Sequence, residues 1–137
     1  MKKLSAGYCE IDFSDIPDTA PILFAMAAAF GHGARLTGTR RLKIKESDRA
    51  AVMAEELSKL GDNVTVYDDE VVITSGEIRE PSEIICGHND HRIVMAMSVL
   101  CTLTGGTIDG AEAISKSYPN FFEDLSSLGI EIQTEEV

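Results

Sequence analysis

Between Arg40 and Arg49 the chain reads RRLKIKESDR, a run of the residue types that bind and process small anions. Lys45 offers an ammonium point charge and Arg49 a bidentate guanidinium, while Glu46 is a carboxylate among cations, a setting in which proton transfer can be tuned. Arg35, Arg40, Arg41, Lys43, Lys45 and Arg49 make up half of the 12 Lys and Arg, in a chain whose net charge is -11. Crowded like charges repel, so a basic island in an acidic protein points to an anionic ligand rather than to solubility. The ligand should be small. A nucleic-acid surface usually makes its whole domain basic, and this chain has a pI near 4.6 and only 6% aromatic residues, which disfavours a nucleic-acid partner.

Three other pieces carry suitable chemistry: Asp18, the triplet Asp90-His91-Arg92, and Lys116. Arg92 can grip a phosphate or carboxylate as Arg49 can, and free N–H groups at helix starts add to the same task. Each piece also has a plain structural reading. Asp18, Ser47 and Asp90 suit helix N-caps. Glu46 and Arg49 fit an i,i+3 surface pair, and His91 fits a packed or capping histidine. Met26, Met53, Met95 and Met97 read as core filling.

The elements that must position these residues follow from periodicity and breakers. Residues 8–13 alternate as a strand, Pro17 turns the chain, and Asp18 is placed to cap an apolar helix running to Gly31. Residues 34–37 read as a strand and 38–45 as a loop or extended segment. A second helix starts at Ser47 or Asp48 and stops at Gly61, with a hairpin from 63 to 74 turning at Asp68-Asp69. A short strand at 84–86, a helix from Asp90 to about Leu103, a strand at 107–109, a loop at 115–119, a helix at 120–128 and a last strand at 130–133 complete the chain. Leu36-Thr37-Gly38 matches Ile108-Asp109-Gly110 in position, and LSKLG at 57–61 recurs as LSSLG at 125–129. Two tandem βαβαβ-type copies in an α/β (α+β) fold, about 4–75 and 83–134, account for this, and they make Lys45 and Lys116 counterparts.

With 137 residues and 44% apolar content, the chain is sized for a single domain, 1–137. Cys9, Cys86 and Cys101 have neither CxxC nor metal-ligand spacing, so neither a disulfide framework nor a metal site is expected. Lys2 and Lys3 precede no apolar leader segment, and the longest apolar run, 21–30, is about half of what crosses a bilayer. A cytoplasmic protein without membrane contact is the expectation.

IPD at 16–18, LKIKESDR at 42–49, NDHRIVMAM at 89–97 and KSYPNFFEDL at 116–125 together resemble the C-terminal part of the 5-enolpyruvylshikimate-3-phosphate synthase family, the 3-phosphoshikimate 1-carboxyvinyltransferases. The resemblance implies part of one domain of the enolpyruvyl transferase inside-out barrel. It also implies transfer of the enolpyruvyl group of phosphoenolpyruvate to the 5-hydroxyl of shikimate 3-phosphate with release of phosphate. On that likeness Asp18 is the candidate base, Lys45 lies between the two substrates, and Glu46 carries the proton at the methylene carbon. Arg49, Arg92 and Lys116 match the phosphate and carboxylate ligands of phosphoenolpyruvate, with His91 beside them in the substrate site, and Arg41 is a possible ligand where some family members carry an uncharged shikimate contact. No metal or organic cofactor is implied. Family members are roughly three times this length, so the chain is expected to be a fragment or half-site, inactive alone, lacking the N-terminal part of the enzyme and prone to self-association through an exposed apolar edge. The alternatives are a non-catalytic small-anion-binding module, or part of the related UDP-N-acetylglucosamine enolpyruvyl transferase.

Overall fold

The computed structural model describes residues 8–74 and 76–136. Lys2, Lys3, the expected start of the first repeat at 4–7, and Ser75 lie outside the described residues. Strand β1 (Cys9–Asp12) leads through a 3-10 turn (Pro17–Thr19) into helix α1 (Ala20–Phe30), then β2 (Ala34–Thr37) and a second 3-10 turn (Arg40–Ile44). Helix α2 (Arg49–Lys59) and the strands β3 (Val64–Val66) and β4 (Glu70–Ile73) follow. The chain continues through β5 (Ile85–Cys86), α3 (His91–Thr104), β6 (Ile108–Asp109), a third 3-10 turn (Ala111–Lys116) and α4 (Phe121–Ser127).

The strands form two sheets. In the larger, ordered β1-β2-β4-β3, β1 and β2 run parallel while β4 pairs antiparallel with both β2 and β3. The smaller is the parallel pair β5-β6. Alternation in β1 buries Cys9 and Ile11 and exposes Glu10 and Asp12, as a sheet with one covered face requires.

Helix α1 packs between α3 and α2, its small Ala20, Ala25, Ala27 and Ala28 buried and Phe24 sealed against Phe13 with ring centroids 5.9 Å apart. It ends at Gly31, whose φ of +71° is the left-handed closure that favours glycine. Met53 and Met97 fill the core as expected, both with no exposed surface. Neither apolar helix is wrapped all round, however. Met26 and Phe30 on α1, and Val99 and Leu103 on α3, remain exposed, Leu103 at 70%.

The structure departs from the sequence reading at Asp18, in the segments 40–44 and 111–116, and at 130–133, and it decides between the two helix starts offered for α2. Asp18 does not cap α1. It lies inside the preceding 3-10 turn, the cap position is Thr19 with no side-chain bond, and Pro21 occupies the first turn without an N–H to be capped. Residues 40–44 and 111–116 wind into 3-10 turns rather than loops. Between the two proposed helix starts, Asp48 is the cap, accepting from the Ala51 N–H at 3.2 Å. No strand forms at 130–133: β5 is the only strand beside β6 among the described residues, and an extended segment becomes a strand only where a neighbour supplies its hydrogen bonds.

Among the described residues no helix is long and apolar enough to cross a membrane.

Candidate active site

The basic island is divided by the fold into two groups with different partners. The hairpin tip between β3 and β4 turns its acids onto the 3-10 turn of residues 40–44. Arg40 Nη2 donates to Asp68 Oδ2 at 2.8 Å, Lys43 Nζ to Asp68 Oδ1 at 3.0 Å, and the Arg40 N–H to Asp69 Oδ1 at 3.0 Å. Lys43 and then Arg40 hold the Asp68 carboxyl below its usual range. Arg35 pairs with Glu70 at 2.6 Å, and Arg41 reaches the Ser14 carbonyl at 3.2 Å. The charges of Arg35, Arg40 and Lys43 are thus met by carboxylates within the protein, whereas Arg41 meets a neutral carbonyl, and the island is only in part a ligand site. With Leu42 fully buried beneath it, the turn is a platform that delivers Lys45 in an extended conformation at its end.

Lys45 and Arg49 face the other way, into a cleft of about 500 Å³ lined by Asp18, Ile44, Lys45, Glu46, Arg49, His91 and Arg92. Three element starts meet there: the turn before α1 brings Asp18, the start of α2 brings Arg49, and the start of α3 brings His91 and Arg92. Asp90 fastens them together. Its Oδ1 caps α3 by accepting the Arg92 N–H at 3.0 Å, while Oδ2 accepts from Ser47 Oγ at 2.7 Å and from Arg49 Nε at 2.9 Å. Arg49 Nη2 closes a second bond to Asp90 Oδ1 at 3.2 Å, and its Nη1 reaches Asp18 Oδ1 at 3.2 Å. Burial works to raise the Asp90 carboxyl, but the bonds from Arg49 and Ser47 and the Arg49 charge outweigh it and keep the group ionised, below the ordinary carboxylate range. Arg49, with its side chain 3% exposed, is therefore no member of a surface i,i+3 pair with Glu46.

Asp18 is more open, its side chain 55% exposed, and Lys45 Nζ lies 3.3 Å from its Oδ1. That contact, joined by the charges of Arg92 and Arg49, lowers its pKa against a smaller desolvation effect. Glu46 turns toward α3 instead. Its Oε2 is 3.0 Å from His91 Nδ1, a close electrostatic approach whose angle leaves that buried nitrogen without an aligned hydrogen bond. Glu46, Asp90 and His91 bring possible ligand atoms within 4.8 Å of one another, yet the Asp90 oxygens are already engaged and Arg49 lies beside them, which opposes a metal cation here.

Six of the seven expected site residues share this cleft, and Lys116 does not line it. Its ammonium donates to the Asn89 carbonyl at the entrance to α3, one residue before Asp90. Sequence reasoning missed the bond from Ser47 and the role of Asp90 as anchor of Arg49, because partners 41 residues apart leave no local spacing signal. It also missed a second, mainly apolar depression of about 230 Å³, where Pro21, Ile22, Met95 and Phe121 adjoin the Asp18 and Arg92 rim of the cleft.

The family model for EPSP synthase (3-phosphoshikimate 1-carboxyvinyltransferase) matches residues 3–125. The chain belongs to the EPSP synthase family. It is 36% identical over 136 residues to the 3-phosphoshikimate 1-carboxyvinyltransferase of Natronomonas pharaonis, an alignment that takes in 98% of this chain and 31% of that protein. It is 43% identical over 119 residues to the enzyme of the same name from Sulfurisphaera tokodaii, covering 87% of this chain and 29% of the relative. A solved structure of EPSP synthase from Acinetobacter baumannii superposes with a TM-score of 0.78 at 33% identity, over 85% of this chain and 28% of that one. The chain therefore has the enolpyruvyl transferase fold and spans about 30% of the length of the curated EPSP synthases it matches. The match favours neither the sister UDP-N-acetylglucosamine enolpyruvyl transferase nor a non-catalytic module.

Proposed function

We propose that the cleft binds phosphoenolpyruvate and forms one wall of an active site that transfers its enolpyruvyl group to the 5-hydroxyl of shikimate 3-phosphate. The observation that carries this reading is the convergence of Asp18, Lys45, Glu46, Arg49, His91 and Arg92 around one opening, in a chain of the EPSP synthase family. Arg92, exposed at the start of α3, and Lys45 take the phosphate and carboxylate charges of phosphoenolpyruvate. The Nη1 edge of Arg49 joins them when the anion displaces Asp18 from it. Lys116 supplies a further ammonium by swinging from the Asn89 carbonyl on its four-carbon stem.

Catalysis then follows from the same contacts. Lys45 keeps Asp18 acidic in the empty cleft, where a carboxylate is a poor base. An incoming anion competes for Lys45 and Arg49, and Asp18 becomes more basic as they turn away. It takes the proton of the 5-hydroxyl as that oxygen attacks the enol carbon. Glu46, steadied beside His91 and entering the step as the acid, delivers its proton to the methylene carbon. It recovers one from the resulting methyl group when phosphate leaves the tetrahedral adduct, and the proton taken by Asp18 departs with the phosphate.

The acceptor is held mainly by the rest of the enzyme, the N-terminal part of the longer relatives, so the isolated chain binds phosphoenolpyruvate but does not turn over. Residues 1–137 make up a single partial domain, with repeats at about 4–75 and 83–134, in a cytoplasmic enzyme. Calorimetric titration of the chain with phosphoenolpyruvate is the direct test. Binding that weakens as salt is added supports the reading, and no binding at low salt overturns it.

A further inference from the structure

Glu56 lies on α2 with no exposed surface and takes no part in lining the cleft. A carboxylate removed wholly from water needs donors around it. One is local: Lys59 Nζ, one turn along, is 2.8 Å from Oε2. The others come from the segment between β5 and α3, where the Cys86 N–H donates to Oε2 at 3.1 Å and His88 Nε2 lies 2.8 Å from Oε1. Glu55, Glu56 and His88 could together approach a metal, but the Lys59 ammonium already balances the buried charge.

The segment that Glu56 grips is strained. His88 and Asn89 both have φ of +53°, and two consecutive left-handed residues with side chains persist only where their surroundings hold them. Gly87 is fixed on one side by its N–H bond to the Asp109 carbonyl, and a Cβ there would lie 2.6 Å from Val94 Cγ2. Glu56 holds the other side. From this turn the chain enters Asp90, His91 and Arg92, and its Asn89 carbonyl receives Lys116. Glu56 also stands seven residues after Arg49, about two helical turns, on the same face of α2. Helix α2 thus clamps the entrance of α3 twice, by Arg49 on Asp90 and by Glu56 on His88 and Cys86.

The geometry points to Glu56 as a positioning residue that sets the 87–89 turn, and through it the aim of His91, Arg92 and Lys116 at a bound phosphoenolpyruvate. This rests on the reading of the cleft given above. Glu56 touches no ligand. Its effect is on affinity and on the conformation of the turn, beyond any effect on stability.

The test compares Glu56→Ala, Glu56→Gln and His88→Ala in the 137-residue chain, using calorimetry with phosphoenolpyruvate, thermal melting, and backbone amide NMR shifts over residues 86–92 and 116. Glu56→Ala should weaken phosphoenolpyruvate about tenfold and move those amides, since a loosened supporting contact misaims the groups it holds. Glu56→Gln keeps a carbonyl for the Cys86 N–H and an amide facing His88, and should stay within about twofold of the parent. A lower melting temperature with unchanged affinity and unmoved amides would overturn the proposal. Should Glu56→Ala not fold, His88→Ala, which cuts the tether from its more exposed end, decides by the same criteria. If the parent chain binds no phosphoenolpyruvate, the cleft reading fails by itself. The amides of Glu56→Ala or His88→Ala then decide whether Glu56 sets the turn: displaced shifts support it and unmoved shifts overturn it.

Discussion

Arg49 and Asp90, 41 residues apart, form a buried two-point ion pair, Nε to Oδ2 at 2.9 Å and Nη2 to Oδ1 at 3.2 Å. The pair joins the start of α2 to the start of α3, two of the elements that line the cleft. Removing one partner leaves the other charge buried alone. Asp90→Ala should therefore cost roughly 3–5 kcal/mol in urea unfolding, and Arg49→Lys should fail to restore the parent stability because an ammonium cannot reproduce the fork. A loss below about 1 kcal/mol, the range of an exposed pair, would show that the contact is not buried in solution.

Acid should weaken this clamp. Asp90 has its folded pKa below its unfolded value, so its contribution is complete above about pH 4, the ordinary carboxylate value, and is lost as pH falls through the folded pKa. Asp62 has the opposite sign. Burial raises its carboxyl, with only the Asn63 N–H opposing, and its Oδ2 has no hydrogen-bond partner. Its folded pKa exceeds the unfolded one, so its stabilising effect belongs to low pH and disappears as pH rises through the folded value. Asp62→Asn should melt above the parent at neutral pH, and the gap should close in acid. A constant gap across pH would exclude charge burial as its cause.

The division of the basic island can be read out by affinity. Arg40→Ala and Lys43→Ala remove groups already paired with Asp68, and should leave phosphoenolpyruvate binding within about twofold and stability within about 1 kcal/mol. Lys45→Ala and Arg92→Ala should each weaken binding about tenfold or more. Equal losses across all four variants would mean that the whole island acts as one diffuse field.

Glu46→Gln separates binding from chemistry. In an enzyme reconstituted with the complementary N-terminal part, it should lower kcat by roughly 10²- to 10⁴-fold, the usual worth of a positioned proton carrier, with phosphoenolpyruvate affinity nearly unchanged. An unchanged rate would remove Glu46 from the proton path.

Met26 and Phe30 on α1 and Val99 and Leu103 on α3 are exposed apolar residues, and we propose that they let the isolated chain pair with a second copy. Light scattering should find a concentration-dependent dimer, and Leu103→Glu, which alters an exposed position, should return it to monomer. A monomeric parent chain at high concentration would refute the idea.

Breakers and periodicity determined most of the elements. Gly31, Gly61 and Gly105 follow helices as expected, Asp48 and Asp90 cap them, and the Asp68-Asp69 turn joins a hairpin, because these depend on φ and on donors within a few residues. The residue types of the candidate site were legible for the same reason: Lys45, Glu46 and Arg49 stand together in the chain, as do His91 and Arg92. Partner choice was not. Whether a cation answers a ligand or a carboxylate is set by what folds against it, and only the tertiary structure brought Asp68 onto Arg40 and Lys43, Asp90 onto Arg49, and Glu56 beneath the turn that aims α3. The missing strand at 130–133 has the same origin, since a ladder needs a neighbour that no local pattern can supply.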